Sequence, residues 1–194
     1  MAVNSTRTHK HPAYAARHRP MKPKIYLAGP SVFYPDWEAQ ANAMKAACAA
    51  RGAIGLYPKD NQGDLPATPF ERGFAIFEVD RDMVVECDGL VADFTPFRGP
   101  SADSGTVWEL GFAQGLGRAV AAFSRDRRDY GVRLNETFAD DLQRAHGSFA
   151  MADNVMLVGS NLAGRPERRA QTDHGLFGTF EEALDAVLAE LRAR

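Results

Sequence analysis

Short apolar runs alternate with amphipathic, helix-like segments along most of the chain, and this alternation constrains the fold more than any other feature. The runs have the length of buried strands, and glycine, proline or aspartate follows several of them, as at the entry to a loop. Strands that alternate with helices predict a parallel sheet with helices on both faces, which is an α/β fold. The five strand-like runs are residues 24–28, 53–57, 89–94, 119–123 and 154–158.

Helical spacing of apolar residues fills the intervals between these runs. In parallel sheets of this kind, ligands bind outside the carboxyl ends of the strands. We therefore expect the loops after the first, third and fourth strands to carry the functional site. The predicted helices run from Pro35 and Asp36 to a stop at Gly52, and over residues 74–87, 104–117, 135–150 and 179–193.

The net charge of −2 hides an uneven distribution of charged side chains. Residues 1–24 carry six basic side chains and no acidic one, which leaves 17 basic against 25 acidic in the rest, a net charge of −8. Residues 1–22 are predicted to be a disordered basic leader and residues 23–194 a single domain. An acidic body argues against nucleic-acid binding, because it repels the phosphate backbone.

The lengths of the apolar runs and the spacing of the cysteines indicate the cellular compartment of the protein. No run approaches the 18 or so apolar residues of a membrane helix, and no apolar stretch follows the basic N-terminus as in a secretory signal. Cys48 and Cys87 lie far apart without zinc-ligand spacing, and are predicted to be reduced, buried thiols. We therefore expect a cytoplasmic protein without membrane contact, and with no metal or other cofactor.

Acidic residues are concentrated between Glu78 and Glu109, where eight carboxylates face only two arginines. Most of them are expected on a solvated helix face, but Asp93 lies within an apolar run, where an ionised group must be paired or line a site. Glu109 falls one to two turns into a helix for which Asp103 is a suitable cap, and Gly105 lets a ligand approach the backbone. Glu109 is therefore either a buried ion-pair partner or a reactive group.

Three segments together resemble the nucleoside 2-deoxyribosyltransferase family, over roughly residues 24–160. They occur in the expected order: Lys24-Ile-Tyr-Leu-Ala-Gly-Pro30, Asp88-Gly-Leu-Val-Ala-Asp93 and Asp103-Ser-Gly-Thr-Val-Trp-Glu-Leu-Gly-Phe-Ala113. The resemblance implies a flavodoxin-like (Rossmann-like) doubly wound sheet of about five parallel strands. It also implies transfer of 2-deoxyribose between nucleobases, with retention of configuration, through a covalent deoxyribosyl–glutamate intermediate.

The resemblance also implies roles for individual residues of this chain. Glu109 matches the nucleophile, and Tyr26 matches a tyrosine that orients it. Asp103 matches the acid that hydrogen-bonds the deoxyribose hydroxyls, and Asp80 matches the acid that handles the base and its proton. Asp82 lies two residues from Asp80 and points in a different direction on the same helix, so only one of the two is expected to face the site.

Further residues are candidates for substrate binding. Asp153-Asn-Val-Met156 resembles a segment that a neighbouring subunit donates to the 5′-hydroxyl, so Asn154 and Met156 imply a homo-oligomer with sites completed across subunits. Phe33 either stacks on a base or belongs to the core, and Arg98 either contacts a base or braces its loop. Gly29, which follows the first apolar run, and Asp93, which lies near the carboxyl end of the third, complete the set.

The chemistry accounts for these residue types independently of the resemblance. Breaking an N-glycosidic bond creates an oxocarbenium-like centre, which a carboxylate on one face of the sugar can capture. The departing base needs a proton, which a second carboxyl with a raised pKa can supply, and two neighbouring carboxyls raise one pKa. The substrates that the resemblance implies are deoxynucleosides and free nucleobases.

Three alternatives remain open. An N-glycosidase that cleaves deoxynucleosides or their 5′-monophosphates uses water as the acceptor, although Asp103 would repel a phosphate. The segment Ser104-Gly-Thr-Val-Trp-Glu109 resembles the signature of phosphoribohydrolases, but that signature has a paired glycine that this chain lacks. A non-catalytic nucleoside-binding protein needs no nucleophile, whereas this sequence holds Glu109, Asp103 and Tyr26 together.

Overall fold

A computed structural model describes residues 22–61, 63, 66, 68–140, 144, 147–168 and 171–194 of the chain. Within these residues, four parallel strands form one sheet in the order β2-β1-β3-β4. This order matches the start of a flavodoxin-like sheet. The carboxyl ends of β1, β3 and β4 therefore meet along one edge. The strands are β1 (Lys24–Ala28), β2 (Ile54–Leu56), β3 (Gly89–Asp93) and β4 (Ala119–Phe123).

Helices cover both faces of the sheet, and each face has its own apolar core. Helices α1 and α6 pack on one face against Leu27, Val91 and Ala121. Helices α2 and α3 pack on the other against Tyr26, Leu90 and neighbouring residues. The predicted α/β fold with helices on both faces is confirmed. The long helices are α1 (Trp37–Ala50), α2 (Pro69–Glu86), α3 (Ser104–Gly115) and α6 (Phe180–Ala193), and the short ones are α4 (Tyr130–Thr137) and α5 (Val155–Gly159).

The prediction of a fifth strand at residues 154–158 is wrong, because this segment forms helix α5. The Asn154 side chain caps the helix by accepting a hydrogen bond from the Met156 amide at 3.0 Å. Beyond β4, the described part of the sheet continues only as a single parallel bridge between Phe123 and Phe177. The sheet described here therefore has four strands rather than about five.

Two predicted helices have different bounds in the structure. The helix expected at residues 135–150 is instead α4, which begins earlier because Asp129 accepts hydrogen bonds from the amides of Gly131 and Val132. Those residues of 138–150 that the structure describes are not helical. Helix α2 begins at Pro69, before the predicted Phe74, since Thr68 caps it. The predicted leader lies outside the described residues except for Lys22.

Both cysteines are buried free thiols, one in each core. Burial raises the pKa of Cys48 to about 11 and that of Cys87 to about 12, so neither thiol is readily ionised at neutral pH. Among the helices that the structure describes, none combines the length and the apolar character that a membrane crossing requires.

Candidate active site

The site lies on the face of the sheet that α2 and α3 cover. Tyr26 projects from β1 into this layer and is fully buried. Its hydroxyl donates a 2.7 Å hydrogen bond to Oε1 of Glu109, which lies in the second turn of α3. The bond joins a central strand to the helix that carries the predicted nucleophile, so the carboxylate is held in one orientation.

A cavity of about 300 Å³ opens beside Glu109. Helix α2 contributes Phe77 and Asp80, which lie one turn apart and so share a face, and α3 contributes Gly105 and Glu109 in the same way. Trp108 completes the lining. The structure thus brings together Glu109, Asp80 and Tyr26, the three residues predicted to be catalytic.

Burial disfavours negative charge on both carboxyls of this cavity. The pKa of Glu109 is raised to about 8, chiefly by desolvation, with the charges of Asp80 and Asp103 adding to the shift and the Tyr26 hydroxyl opposing it. Desolvation raises the pKa of Asp80 to about 6. Burial, and then the neighbouring carboxylates, also raise the pKa of Tyr26, so its hydroxyl remains a donor.

One oxygen of Asp80 has no partner within the described structure. Its Oδ1 atom is buried and makes no hydrogen bond. A buried polar oxygen left in this state costs free energy, which a ligand with a donor or a proton at that position would recover. The arrangement therefore suits a carboxyl that exchanges a proton with a bound molecule.

Asp103 caps α3 at the mouth of the same region. Its Oδ2 accepts hydrogen bonds from the amide of Thr106 at 3.0 Å and from the Thr106 hydroxyl at 3.2 Å. A side chain at Gly105 would lie 3.1 Å from Oδ2, so the glycine keeps the approach to this carboxylate open. The predicted cap is confirmed, and the contact of Asp103 with a sugar stays a prediction.

Phe33 and Arg98 form a cluster at the carboxyl ends of β1 and β3. The ring of Phe33 stacks on Phe97 with 5.3 Å between their centroids. The Arg98 guanidinium lies 5.0 Å from the Phe33 centroid and 4.7 Å from that of Phe97. Phe33 is 55% exposed, so it lies on the surface rather than in the core, and Arg98 braces the rings through cation–π contacts.

Asp93 faces the opposite layer from Glu109. It alternates with Ala92 along β3 and lines a separate cavity of about 340 Å³ with Met44 of α1 and Phe180 of α6. The carboxylate accepts a 2.8 Å hydrogen bond from the Thr95 amide, and Arg125 lies 3.5 Å away. The structure therefore does not bring Asp93 into the cavity that Glu109 lines.

Gly29 lies beside this carboxylate at the end of β1. A Cβ atom at Gly29 would lie 3.0 Å from the Cβ of Asp93, which is tighter than ordinary packing. A glycine at this position lets the loop after β1 pass close to the end of β3.

Asn154 and Met156 are exposed at the start of α5, and Met156 is 73% exposed. Neither residue lines the cavity beside Glu109. Their exposure leaves them accessible to another molecule, but within a single chain the structure does not join them to the predicted catalytic residues.

The aromatic wall of the cavity, Phe77 and Trp108, was not predicted from the sequence. The two rings meet edge to face at 5.5 Å, and Trp108 stacks on Phe112 at 5.0 Å. The available signal was position, because Phe77 precedes Asp80 by one turn and Trp108 precedes Glu109 by one residue.

Among the described residues, no group of three or more His, Cys, Asp or Glu side chains is arranged to hold a metal ion.

Comparisons with known proteins point to one family. The family model for nucleoside 2-deoxyribosyltransferase matches residues 25–156. A solved structure described as a 2-desoxiribosyltransferase from Leishmania mexicana is 32% identical, with a TM-score of 0.64, and the match covers 84% of this chain and 95% of that one.

Two further matches are more limited. A 2-deoxyribosyltransferase from Bacillus psychrosaccharolyticus is 21% identical, covers 87% of this chain and 95% of its own, and has a TM-score of 0.55, so it supports the fold alone. An uncharacterized protein of Schizosaccharomyces pombe, C191.05c, is 36% identical over 111 residues, which are 56% of this chain. The matched region spans about half of that relative's length, 53%.

Proposed function

The chain belongs to the nucleoside 2-deoxyribosyltransferase family, and we propose that it transfers 2-deoxyribose from a deoxynucleoside to a free nucleobase. The observation that carries the proposal is the cavity in which Glu109, oriented by the Tyr26 hydroxyl, lies with Asp80. A carboxylate nucleophile and a second carboxyl able to hold a proton are the two groups that this transfer needs.

In the first half of the reaction, Glu109 captures the sugar. A carboxylate oxygen of Glu109 forms a bond to C1′ while the C1′–N bond to the base breaks. The departing base takes a proton from Asp80, whose pKa, raised to about 6 by desolvation, lets this carboxyl hold and release a proton near neutral pH. The products of this step are a free base and a deoxyribosyl ester of Glu109.

In the second half, the acceptor base reverses these events. A ring nitrogen of the base attacks C1′, its proton passes to Asp80, and the C1′–O bond breaks to restore the Glu109 carboxylate. Two inversions at one carbon give retention of configuration. Neither step needs a cofactor, because a 2-deoxy sugar forms the cationic centre without help from a metal.

The reactive ionisation state has one proton on the carboxyl pair. Glu109 must be ionised and Asp80 protonated, although Glu109 has the higher pKa. At neutral pH the pair holds one proton, and the reactive arrangement is the minor of its two forms. The Tyr26 hydroxyl favours this form, because its hydrogen bond lowers the pKa of Glu109.

Most of the remaining predicted residues are assigned to substrate binding. Asp103 accepts hydrogen bonds from the deoxyribose hydroxyls, and Asn154 and Met156 of a neighbouring subunit reach the 5′-hydroxyl, so the enzyme is a homo-oligomer. The loops that carry Gly29, Phe33 and Arg98 border the base, whereas Asp93 faces the other layer of the sheet and holds the loop after β3 by accepting a hydrogen bond from the Thr95 amide. The aromatic wall of Phe77 and Trp108 adds an apolar surface for the substrate.

The acidic site favours an uncharged substrate. Glu109, Asp80 and Asp103 lie within electrostatic range of one another, as their effects on the pKa of Glu109 indicate. A 5′-phosphate would add two negative charges to this cluster. Nucleosides and free bases, which are neutral, avoid that repulsion. We propose nucleotide salvage in the cytoplasm as the role of an enzyme that acts on such substrates.

A base-exchange assay tests the proposed function. Incubation of the protein with deoxyinosine and adenine is expected to give deoxyadenosine and hypoxanthine. Release of free deoxyribose without deoxyadenosine would identify an N-glycosidase instead. Binding of nucleoside without either product, in the native protein and in Glu109→Ala alike, would identify a non-catalytic binding protein.

A further inference from the structure

A buried carboxylate, Asp153, joins the loop before Asp103 to the segment that begins at Asn154. Its Oδ1 accepts hydrogen bonds from the Ser101 hydroxyl at 2.6 Å and from the Asn154 amide at 2.8 Å. Its Oδ2 accepts a 3.0 Å bond from the Ala102 amide. One carboxylate, with a side chain that solvent does not reach, therefore fixes the backbone immediately before both residues.

A buried arginine reinforces the same connection. The Arg133 guanidinium lies 3.9 Å from Oδ2 of Asp153 and is 4% exposed. It donates a 2.8 Å hydrogen bond to the Pro100 carbonyl in the loop before Asp103, and another to the Ala152 carbonyl. The loop and the segment are thus bridged twice, by a carboxylate that accepts and a guanidinium that donates.

Stability alone is a weak reason for this arrangement. A buried ion pair contributes little net stability, and apolar residues of similar volume often replace one without loss. What the pair does provide is a fixed distance between two irregular stretches of backbone. Both stretches lead directly into residues that the proposed function assigns to the deoxyribose.

We propose that Asp153 is a positioning residue for deoxyribose recognition. It holds Asp103, which belongs to its own subunit's site, and Asn154, which it presents to a neighbouring subunit, in one fixed relation. This role rests on the proposed function, because that function places Asp103 and Asn154 on the sugar hydroxyls. Asp153 itself touches no substrate.

The test compares three substrates on Asp153→Asn: a 2′-deoxynucleoside, its 3′-deoxy analogue and its 5′-deoxy analogue. The amide keeps the shape of the side chain but replaces one accepting oxygen with a donor, so a bond to the loop or the segment is lost. We expect kcat/KM for the complete nucleoside to fall by about 10- to 100-fold. The ratio of native to variant kcat/KM should be at least about threefold smaller for each analogue than for the complete nucleoside. Each analogue lacks one of the hydroxyls whose recognition the substitution impairs.

Asp129→Asn is the matched control. The Asp129 carboxylate also accepts two backbone amides, those of Gly131 and Val132, and a serine hydroxyl, that of Ser148. Two of its bonds cap α4 and the third holds Ser148, and none reaches the loop before Asp103. We expect a similar loss of thermal stability, while kcat/KM for all three substrates stays within about twofold of the native value.

A second variant keeps the test decisive if Asp153→Asn does not fold. Ser101→Ala removes the 2.6 Å bond to Oδ1, together with the hydrogen bond between the Ser101 and Tyr130 hydroxyls, and leaves the other bonds of Asp153 in place. The same pattern across the three substrates is expected with a smaller loss. An equal loss for all three substrates in both variants would overturn the positioning role and leave the proposed function standing. A native enzyme that neither exchanges nor hydrolyses any deoxynucleoside would overturn both.

Discussion

At the scale of single residues, the site depends on a hydrogen bond from a buried tyrosine to a carboxylate that burial makes reluctant to ionise. Tyr26 and Glu109 are 83 positions apart in the chain, and their 2.7 Å contact forms only in the folded protein. Asp80 lies in the same cavity, and no described residue makes a hydrogen bond to its buried Oδ1 atom. The proton shared by these carboxyls should therefore govern both the activity and the stability.

Removal of the Tyr26 hydroxyl should change the pH dependence of catalysis. We expect the native kcat/KM profile to be bell-shaped, with apparent pKa values of about 6 and about 8 for the carboxyl pair. In Tyr26→Phe the pKa of Glu109 rises, so the alkaline limb of the profile shifts to higher pH. The maximum value of kcat/KM falls about tenfold. Tyr57→Phe, which removes another buried hydroxyl, 3.0 Å from Ser31, is the control. An alkaline limb that stays in place would refute the role of Tyr26.

Neutralising Glu109 should make the protein more stable at alkaline pH. Folding raises the pKa of Glu109 from 4.5 to about 8, so the folded state binds more protons than the unfolded state between these values. The free energy of unfolding of the native protein therefore falls as pH rises through this window. Glu109→Gln removes this loss and should be more stable by about 4 kcal/mol at pH 8, and equal to the native protein at pH 4.

Urea denaturation at both pH values measures this difference. Glu86→Gln serves as the control, because Glu86 is an exposed carboxylate of α2 whose ion-pair partner among the described residues is Lys24 at the surface. If the difference in the free energy of unfolding between Glu109→Gln and the native protein does not grow between pH 4 and pH 8, the claim that burial disfavours the charged form of Glu109 is contradicted.

At the scale of secondary-structure elements, the sequence predicts those whose ends carry local signals. Helix α6 begins where Thr179 and Glu182 form a reciprocal capping box, and the predicted helix 179–193 agrees with it. Residues 154–158 were predicted as a strand because a short apolar run has no period that separates strand from helix. The Asn154 cap decides in favour of helix α5.

For the site residues too, the sequence pattern leaves two interpretations open that only the packed structure distinguishes. Alternation along β3 places Asp93 and Leu90 on opposite faces, but which face carries the cavity depends on how α2 and α3 pack. Phe77 in α2 and Trp108 in α3 each fit the helical spacing of apolar residues in their own helix. Such spacing is equally typical of residues in a core. Only the packing of the two helices reveals that these rings line the cavity instead.

The aromatic wall between α2 and α3 should contribute to substrate binding. Trp108→Ala removes an indole that is 44% exposed and borders Glu109, so we expect KM for the nucleoside to rise by about fivefold or more, with a smaller change in kcat. Nucleoside should quench the fluorescence of the native protein and of Trp37→Phe, but not that of Trp108→Phe. Quenching that persists in Trp108→Phe would exclude contact between this ring and the substrate.

At the scale of the whole molecule, the predicted site is distributed over two subunits. Glu109 lies in a cavity within one chain, whereas Asn154 and Met156 are exposed elsewhere on its surface. If a neighbouring chain presents these two residues to the cavity, each active site depends on an interface. The oligomer and the activity should then be inseparable.

Mixing two inactive variants tests this dependence. Glu109→Ala and Asn154→Ala subunits should each have little activity alone. Unfolded together and refolded, they should recover about a quarter of native activity, because random assembly pairs an intact Glu109 with an intact Asn154 at that frequency. Sites complete within one chain would give no recovery, and Asp185→Asn in place of Asn154→Ala controls for the refolding step.

Covalent capture of the sugar by Glu109 is the central claim, and a trapping experiment tests it most directly. A 2-deoxy-2-fluoro-arabinosyl nucleoside slows the breakdown of the glycosyl ester, so the intermediate accumulates. Intact-mass spectrometry should show one fluorosugar added per chain, and peptide mapping should place it on Glu109, with no adduct in Glu109→Ala. A fluorosugar attached to any other residue, or turnover of the nucleoside without an adduct, would contradict the account.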